Sequence, residues 1–135
     1  MKGVTLTPLK RIPTDKGDVL HALKSTDTGY CGFGEAYFSE IKHAEKKGWK
    51  RHNRMTLNIV VVSGEIRFHI FDDRPDSPTC GQTLQIDLSP VGNYQRLTIE
   101  PGLWLAFEGL AEGKSILLDI IPQPHDPCEA DTKPL

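Results

Sequence analysis

The sequence has little of three features that mark specialised proteins: paired cysteines, long apolar runs and charge of one sign. Its cysteines, Cys31, Cys80 and Cys128, form no C-x-x-C pair, so neither a zinc site nor a disulfide framework is indicated. The longest apolar run, 59–62, is far too short to span a bilayer, and residues 1–7 lack the apolar core of a signal peptide. Sixteen basic and eighteen acidic residues give a net charge of −2, which favours neither a nucleic-acid nor a membrane partner. A cytoplasmic protein with free thiols is therefore expected.

A length of 135 residues suits one domain with its own core. We therefore predict a single domain over residues 1–135. From Pro122 the chain becomes rich in Pro and Asp, and the segment 122–135 is predicted to be irregular.

Short strand-like segments separated by turn residues run through the sequence, and no long helix is indicated. The clearest strand follows Gly64, where Ile66, Phe68 and Ile70 alternate with residues that face the other way. The preceding Ser63-Gly64-Glu65 reads as a hairpin turn, and the charged stretch 42–47 as a loop. Many short strands with regular turns favour a β-sandwich or a β-barrel.

The most informative segment lies between Gly48 and Gly64, where a polar strand precedes a buried strand and a tight turn. The polar strand carries Lys50 and His52. Residues two apart in a strand share a face, so these two side chains point the same way if no bulge separates them.

Six motifs in order along the chain resemble short members of the dTDP-4-dehydrorhamnose 3,5-epimerase-like cupins, which are similar to the sugar-nucleotide 3,4-ketoisomerases. The resemblance covers roughly residues 17–130, and the order and spacing of the motifs carry it. The motifs are Gly34–Glu40, Lys47–His52, Val62–Glu65, Asp72–Arg74, Pro101–Trp104 and Pro124–Pro127.

This resemblance implies an all-β cupin jelly-roll β-barrel that forms a homodimer. It also implies an epimerase or ketoisomerase that acts on a nucleotide-linked 4-keto-6-deoxy sugar, with dTDP as the expected nucleotide, in polysaccharide or O-antigen synthesis. Neither a metal nor an organic cofactor is expected.

The chain departs from the family pattern at two positions. The 3,5-epimerase motif Arg-Gly-x-His falls on Lys47–Lys50, so that Lys50 stands where the family has its base histidine. His52 matches the second histidine of the ketoisomerase His-x-His pattern. The family's tyrosine acid falls near Asp119.

Epimerisation or isomerisation beside a ketone needs a base, an electrophile for the enolate oxygen and a proton donor. His52 is the best base by its ordinary pKa. Lys50 would polarise the ketone, or serve as the base if burial lowered its pKa. Tyr37 is the candidate acid.

A nucleotide diphosphate needs cations and commonly an aromatic surface for its base. Asn58, within an apolar strand, is a further candidate for lining the pocket. The predicted substrate-binding residues are Lys47, Arg51, Arg54, Asn58, Arg74 and Trp104.

Two rival functions remain open on the sequence. A non-catalytic cupin that binds nucleotide sugars or carbohydrates is favoured by Lys50 at the base position. A metal-dependent dioxygenase or isomerase is disfavoured because His52 alone remains of the expected metal ligands.

Overall fold

Two five-stranded antiparallel sheets pack face to face in the computed structural model, which describes residues Met1–Leu135. The strands are β1 Val4–Pro8, β2 Arg11–Ile12, β3 Val19–Leu20, β4 Glu35–Lys42, β5 Lys46–His52, β6 Leu57–Ser63, β7 Ile66–Phe71, β8 Thr83–Leu88, β9 Gln95–Ile99, β10 Trp104–Gly109, β11 Lys114–Ile121 and β12 Ala130–Thr132. Sheet I has the order β1-β9-β6-β11-β4, sheet II has the order β12-β5-β10-β7-β8, and β2 pairs with β3.

Most connections cross from one sheet to the other. From β4 onward the chain alternates between sheet I and sheet II, with β7 and β8 as the one neighbouring pair within a sheet. This topology is a jelly roll. The predicted all-β fold is therefore confirmed. The two strands predicted between Gly48 and Gly64 are β5 and β6, and the strand predicted after Gly64 is β7.

The hydrophobic core fills the space between the sheets. Ile66, Phe68 and Ile70 are fully buried, as their alternation predicted, while the residues between them are partly exposed. Apolar residues from β6, β9 and β11 face them from sheet I. Each sheet thus buries one face, and polar side chains that point inward must lie where this core ends.

The turn Ser63-Gly64-Glu65 is not the predicted hairpin turn, because β6 and β7 lie in different sheets. Gly64 has a φ of +76°, and a Cβ there would lie 2.3 Å from the Oγ of Ser115. That hydroxyl accepts a hydrogen bond from the N–H of Glu65 at 3.1 Å. The prediction read the local turn chemistry correctly, but strands later in the chain decide how β6 and β7 pair.

The predicted charged loop 42–47 is shorter than expected. β4 continues to Lys42 and β5 begins at Lys46, so only three residues connect the two strands. The lysines at its ends belong to strands because main-chain pairing with β10 and β11 outweighs their low strand propensity.

The C-terminal segment 122–135 is not wholly irregular, in contrast to the prediction. A 3-10 turn spans Pro127–Glu129, and β12 then pairs with the edge of β5. Asp126 caps the turn by accepting a hydrogen bond from the N–H of Cys128 at 2.9 Å. Proline and aspartate are rare in central strands, but an edge strand of three residues tolerates them nearby. No helix here has the length and apolar character that crossing a membrane requires.

Candidate active site

A cavity of about 270 Å³ opens between the two sheets, at the end where polar side chains replace the core. Sheet I contributes residues of β4, β6 and β11, and sheet II contributes residues of β5 and β10. The lining residues are Tyr37, Ser39, Lys47, Gly48, Lys50, His52, Leu57, Ile59, Leu105, Phe107, Leu117 and Asp119. Four of the sequence candidates, Tyr37, Lys47, Lys50 and His52, therefore meet here.

Lys50 and His52 share the inner face of β5, as predicted for two residues two positions apart in a strand without a bulge. Lys50 pairs with Leu105 of β10 and Arg51 with Trp104, without a register shift between them. No bulge separates Lys50 from His52, so the alternation of a regular strand holds. Both side chains line the cavity.

A bulge further back in β5 brings Lys47 to the same face. Lys47 pairs with Phe107 and Lys50 pairs with Leu105, so three steps along β5 match two along β10. The bulge falls at Gly48, where a Cβ would lie 2.6 Å from the Cβ of Ala106. Because an odd separation would otherwise place Lys47 outside, the bulge adds a second lysine to the cavity.

His52 is held by a buried glutamate from the C-terminal segment. Its Nδ1 lies 2.8 Å from Oε1 of Glu129, whose side chain has no exposed surface. The other carboxylate oxygen of Glu129 accepts a hydrogen bond from the main-chain N–H of Asn53 at 3.1 Å. With Nδ1 engaged, Nε2 is the imidazole nitrogen left for a ligand.

Burial lowers the pKa of His52 below its usual 6.5, and this effect outweighs the opposing influence of Glu129. The nearby positive charge of Lys50 lowers it further. Near neutral pH the imidazole is therefore uncharged. A neutral imidazole whose Nδ1–H is donated to a carboxylate presents a basic Nε2.

Glu129 is a functional candidate that the sequence prediction missed. The prediction that the C-terminal segment is irregular left no reason to choose it over its acidic neighbours Asp126 and Asp131. Only the 3-10 turn and the pairing of β12 with β5 select Glu129 as the carboxylate beneath His52.

Tyr37 faces the cavity from sheet I and bonds to Asp119 on the neighbouring strand. The two residues are register partners, and the Tyr37 hydroxyl donates to Oδ2 of Asp119 at 2.8 Å. Burial raises the pKa of Asp119 to about 6. Burial is also the main cause of the raised pKa of Tyr37, and the negative charge of Asp119 raises it further. Tyr37 and Asp119 thus form a hydrogen-bonded pair on the wall that sheet I contributes to the cavity, and His52 lies on the wall that sheet II contributes.

Arg51 and Trp104 do not line the cavity. Arg51 points to the outer face of sheet II, where it bonds to Asp131 at 2.7 Å and lies over the Trp104 ring, 4.6 Å from its centroid. The indole N–H of Trp104 donates to Asp73 at 2.9 Å. The alternation that turns Lys50 and His52 inward turns Arg51 outward.

Asn58 also lies outside the cavity, on the outer face of sheet I. Its side-chain oxygen accepts hydrogen bonds from Arg96 at 3.2 Å and from Thr98 at 2.7 Å. Its amide donates to the carbonyl of Gly29 at 3.0 Å. The buried polar group in this apolar strand thus anchors the loop that leads into β4.

The remaining two cations lie away from the cavity as well. Arg74 binds the buried carboxylate of Asp72 through two nitrogens, at 2.8 and 2.9 Å, and it stabilises the loop between β7 and β8. Arg54 is largely exposed, 3.4 Å from Asp126. No group of three or more His, Cys, Asp or Glu side chains is arranged to hold a metal ion.

No protein-family model matches the chain. Among curated proteins, it is 30% identical over 87 residues to the probable low-salt glycan biosynthesis epimerase Agl13 of Haloferax volcanii. The match covers 62% of this chain and 54% of that protein, so the chain spans about half the length of the curated relative it matches.

Solved structures match over nearly the whole chain. A dTDP sugar isomerase from Desulfovibrio desulfuricans G20 is 34% identical, with a TM-score of 0.95, over 98% of this chain and 85% of that one. The dTDP-4-dehydrorhamnose 3,5-epimerase of Bacillus anthracis is 20% identical, with a TM-score of 0.83, over 96% and 77%. The sugar 3,4-ketoisomerase QdtA of Thermoanaerobacterium thermosaccharolyticum is 17% identical, with a TM-score of 0.80, over 97% and 88%. Because the sequence identities to the 3,5-epimerase and to the ketoisomerase are only 20% and 17%, these two similarities show a common fold and nothing more.

Proposed function

Because this chain belongs to the dTDP-4-dehydrorhamnose 3,5-epimerase-like cupins, we propose that it is an epimerase or ketoisomerase of a dTDP-linked 4-keto-6-deoxy sugar. The reaction removes a proton from a carbon beside the ketone and returns a proton to the enolate. The observation that carries this proposal is the meeting of His52, Lys50, Tyr37 and Asp119 in one cavity between the sheets.

His52 is the proposed base. Its Nε2 is free, its pKa is lowered by burial, and Glu129 stabilises the imidazolium that forms when it takes the proton. A positioned base of this kind accelerates proton transfer by roughly 10²- to 10⁴-fold.

Lys50 is the proposed electrophile for the enolate oxygen. Lys50 lines the same cavity as His52 and Asp119, and its charge lowers the pKa of both residues. Positive charge preorganised beside a ketone stabilises the enolate that forms when a neighbouring proton leaves. Burial, aided by the charge of Lys50, lowers the pKa of His52 and so keeps it neutral and ready to accept that proton.

Tyr37 is the proposed proton donor. It lies on sheet I, whereas His52 lies on sheet II, and a sugar ring between them would offer one face to each residue. Removal from one face and delivery to the other inverts the carbon. This arrangement favours epimerisation over a ketoisomerisation that moves the proton along one face.

The nucleotide is proposed to bind outside the cavity, whose 270 Å³ lies just below the usual range for sites that bury a drug-sized ligand. Lys47 and Ser39 line both the cavity and an open surface groove of about 620 Å³. Lys42, Lys46 and Lys114 also line that groove. We assign the diphosphate to these lysines.

A homodimer and a cytoplasmic location complete the proposal, with glycan biosynthesis as the process served. Phe38 on the outer face of sheet I is 68% exposed and pairs with Leu118 of β11. A second copy of the chain is the occupant we propose for this face. Sedimentation of the wild-type chain and of Phe38→Glu tests it, and monomers in both samples would contradict it.

Incubation with dTDP-4-keto-6-deoxyglucose in deuterated water, followed by proton NMR, tests the reaction. Loss of a proton signal beside the ketone, or a new keto sugar, supports the proposal, and the position of the loss identifies the carbon. His52→Asn should abolish the exchange. Binding without exchange would instead support a non-catalytic nucleotide-sugar-binding cupin, and neither binding nor exchange would contradict both functions.

A further inference from the structure

Asp119 is the charged group of the cavity wall that the proposed reaction leaves without a role. It is 5% exposed, and its Oδ2 accepts the hydrogen bond from Tyr37. Its Oδ1 is buried and has no hydrogen-bond partner in the protein. A buried carboxylate oxygen without a donor is costly, so this position favours a protonated acid or a bound donor.

Burial favours the protonated form of Asp119, although the contacts with Tyr37 and Lys50 both lower its pKa. Tyr37 faces it from β4, with Glu35 close enough to raise the pKa of that tyrosine, and the β6 residue opposite is the apolar Ile59. From sheet II, Lys50 is the one cation that lowers the pKa of Asp119. Because burial outweighs these contacts, the pKa of Asp119 is raised to about 6.

The ionisation of Asp119 decides whether Tyr37 can act as an acid. While Asp119 is a carboxylate, the proton of Tyr37 is donated to it, and the pKa of Tyr37 is raised by burial and by that negative charge. A phenolate beside a carboxylate would be strongly disfavoured. If Asp119 is protonated, its own O–H donates to Tyr37, and the phenol proton is free to point at the substrate.

We propose that Asp119 is the proton source behind Tyr37, so that the two side chains form a relay that delivers one proton to the substrate carbon. This inference rests on the proposed function and deepens it. It follows from the register pairing of the two residues, from their hydrogen bond and from the orphaned oxygen of Asp119.

The proton balance of the step is simple. His52 Nε2 takes the proton from the carbon beside the ketone, and the C–H electron pair becomes the enolate. The enolate carbon then takes the proton of Tyr37 as the carbon–hydrogen bond forms, and Tyr37 takes the proton of Asp119. Asp119 ends as a carboxylate and His52 as an imidazolium. The cycle closes when His52 releases its extra proton to water and Asp119 takes one proton from water.

Asp119→Asn tests the relay, because an asparagine oxygen still accepts the Tyr37 hydrogen bond but the amide has no acidic proton. Wild type and variant are incubated with the keto sugar in deuterated water, and exchange and inversion at the carbon are followed separately. Asp87→Asn, which changes a carboxylate paired with Arg67 on the outer face, is the matched control.

We expect the variant to continue exchanging the substrate proton through His52, while inversion falls by roughly 10²-fold or more. The inversion rate of the wild type should fall as pH rises through the pKa of Asp119, and this alkaline limb should be missing from the residual rate of the variant. Inversion at the wild-type rate overturns the relay, as does an equal loss of exchange and inversion.

Failure of the relay differs from failure of the proposed function. If the wild type itself exchanges no proton, the proposed function fails and the relay with it. Carbon-13 NMR titration of the Asp119 carboxyl adds a readout that needs no substrate. Titration near pH 6 supports the relay, and titration near the usual aspartate value overturns it.

Discussion

Glu129 reaches His52 from a segment 77 residues further along the chain, and its Oε1 lies 2.8 Å from the imidazole Nδ1. The contact is buried on both sides, with 8% of the His52 side chain and none of the Glu129 side chain exposed. It fixes the tautomer of the proposed base. The C-terminal segment is thus part of the candidate active site.

Replacing Glu129 with glutamine should inactivate the base while keeping the side-chain shape. The glutamine oxygen would accept from the N–H of Asn53, so its NH₂ would face Nδ1 and place the imidazole proton on Nε2. That tautomer cannot abstract a proton, and kcat should fall by roughly 10²- to 10⁴-fold. Nitrogen-15 NMR of His52 would report the tautomer. An unchanged spectrum together with full activity would contradict the assignment.

Asp119→Asn should stabilise the fold at neutral pH. Since the folded pKa is raised from 3.8 to about 6, ionisation weakens the folded state as pH rises between these values, by up to about 3 kcal/mol. The free energy of unfolding of the variant should increasingly exceed that of the wild type between pH 4 and about 6, and the difference should stay constant at higher pH. Urea titrations of both proteins at several pH values measure it. Equal stability at pH 7.5 would show that the buried carboxyl carries no such cost.

Lys133→Ala should loosen the C-terminal segment. The Lys133 ammonium lies 4.4 Å from the ring centroid of Trp104, 5.2 Å from that of Phe71 and 5.9 Å from that of Trp49. Cation–π contacts of this kind are worth about 0.5–2 kcal/mol. Hydrogen exchange should accelerate across residues 127–133, and kcat should fall as Glu129 loses its position.

A lysine in an exposed surface pair serves as the control for that substitution. Lys114 lies 3.5 Å from Glu40, with 56% of each side chain exposed. Lys114→Ala should leave exchange across the C-terminal segment unchanged, because exposed pairs contribute little to stability. Equal acceleration of hydrogen exchange across residues 127–133 in the two variants would argue against an anchoring role for Lys133.

Lys47→Ala should weaken binding of the nucleotide sugar. Lys47 lines both the cavity and the surface groove, and its ammonium bonds to Ser39 and to the carbonyl of Glu40. Loss of one charge-assisted phosphate contact costs about 1.5–3 kcal/mol, so Kd for dTDP should rise by about tenfold or more. Calorimetry with dTDP measures the change.

Arg67→Ala is the matching cation control, since Arg67 pairs with Asp87 on the outer face of sheet II. Its Kd for dTDP should equal that of the wild type. A similar loss of affinity in both variants would mean that net charge, rather than a contact at Lys47, governs binding.

Several features of the fold could be predicted from short-range patterns. Alternation along β7 identified its buried face, and spacing along β5 put Lys50 and His52 on one face. Lys47 shows the limit of such arguments, because the bulge at Gly48 reverses the face that spacing alone would assign. The bulge depends on the close approach of Ala106, which is distant in the sequence.

For the candidate binding residues too, local sequence predicts some features and only the pairing of distant strands decides the others. Arg51 alternates with the cavity residues of β5, so its outward direction follows from the strand period. The partners that occupy it, Asp131 and Trp104, come from β12 and β10 and could not be read from local sequence. Asn58 required a partner, as a polar residue in an apolar strand does, but Arg96 and Thr98 are identified only by the pairing of β6 with β9.

The sequence by itself determined the all-β fold class, the inner face of β5 and the choice of His52 as the proposed base, because side-chain alternation and intrinsic pKa are local properties. Tertiary structure alone decided that Glu129 supports His52, that Asp119 bonds to Tyr37, and that the Ser63-Gly64-Glu65 turn links two sheets. These relationships depend on strands paired across large sequence separations. The free energy of the whole packed structure, and no local pattern, fixes such pairings.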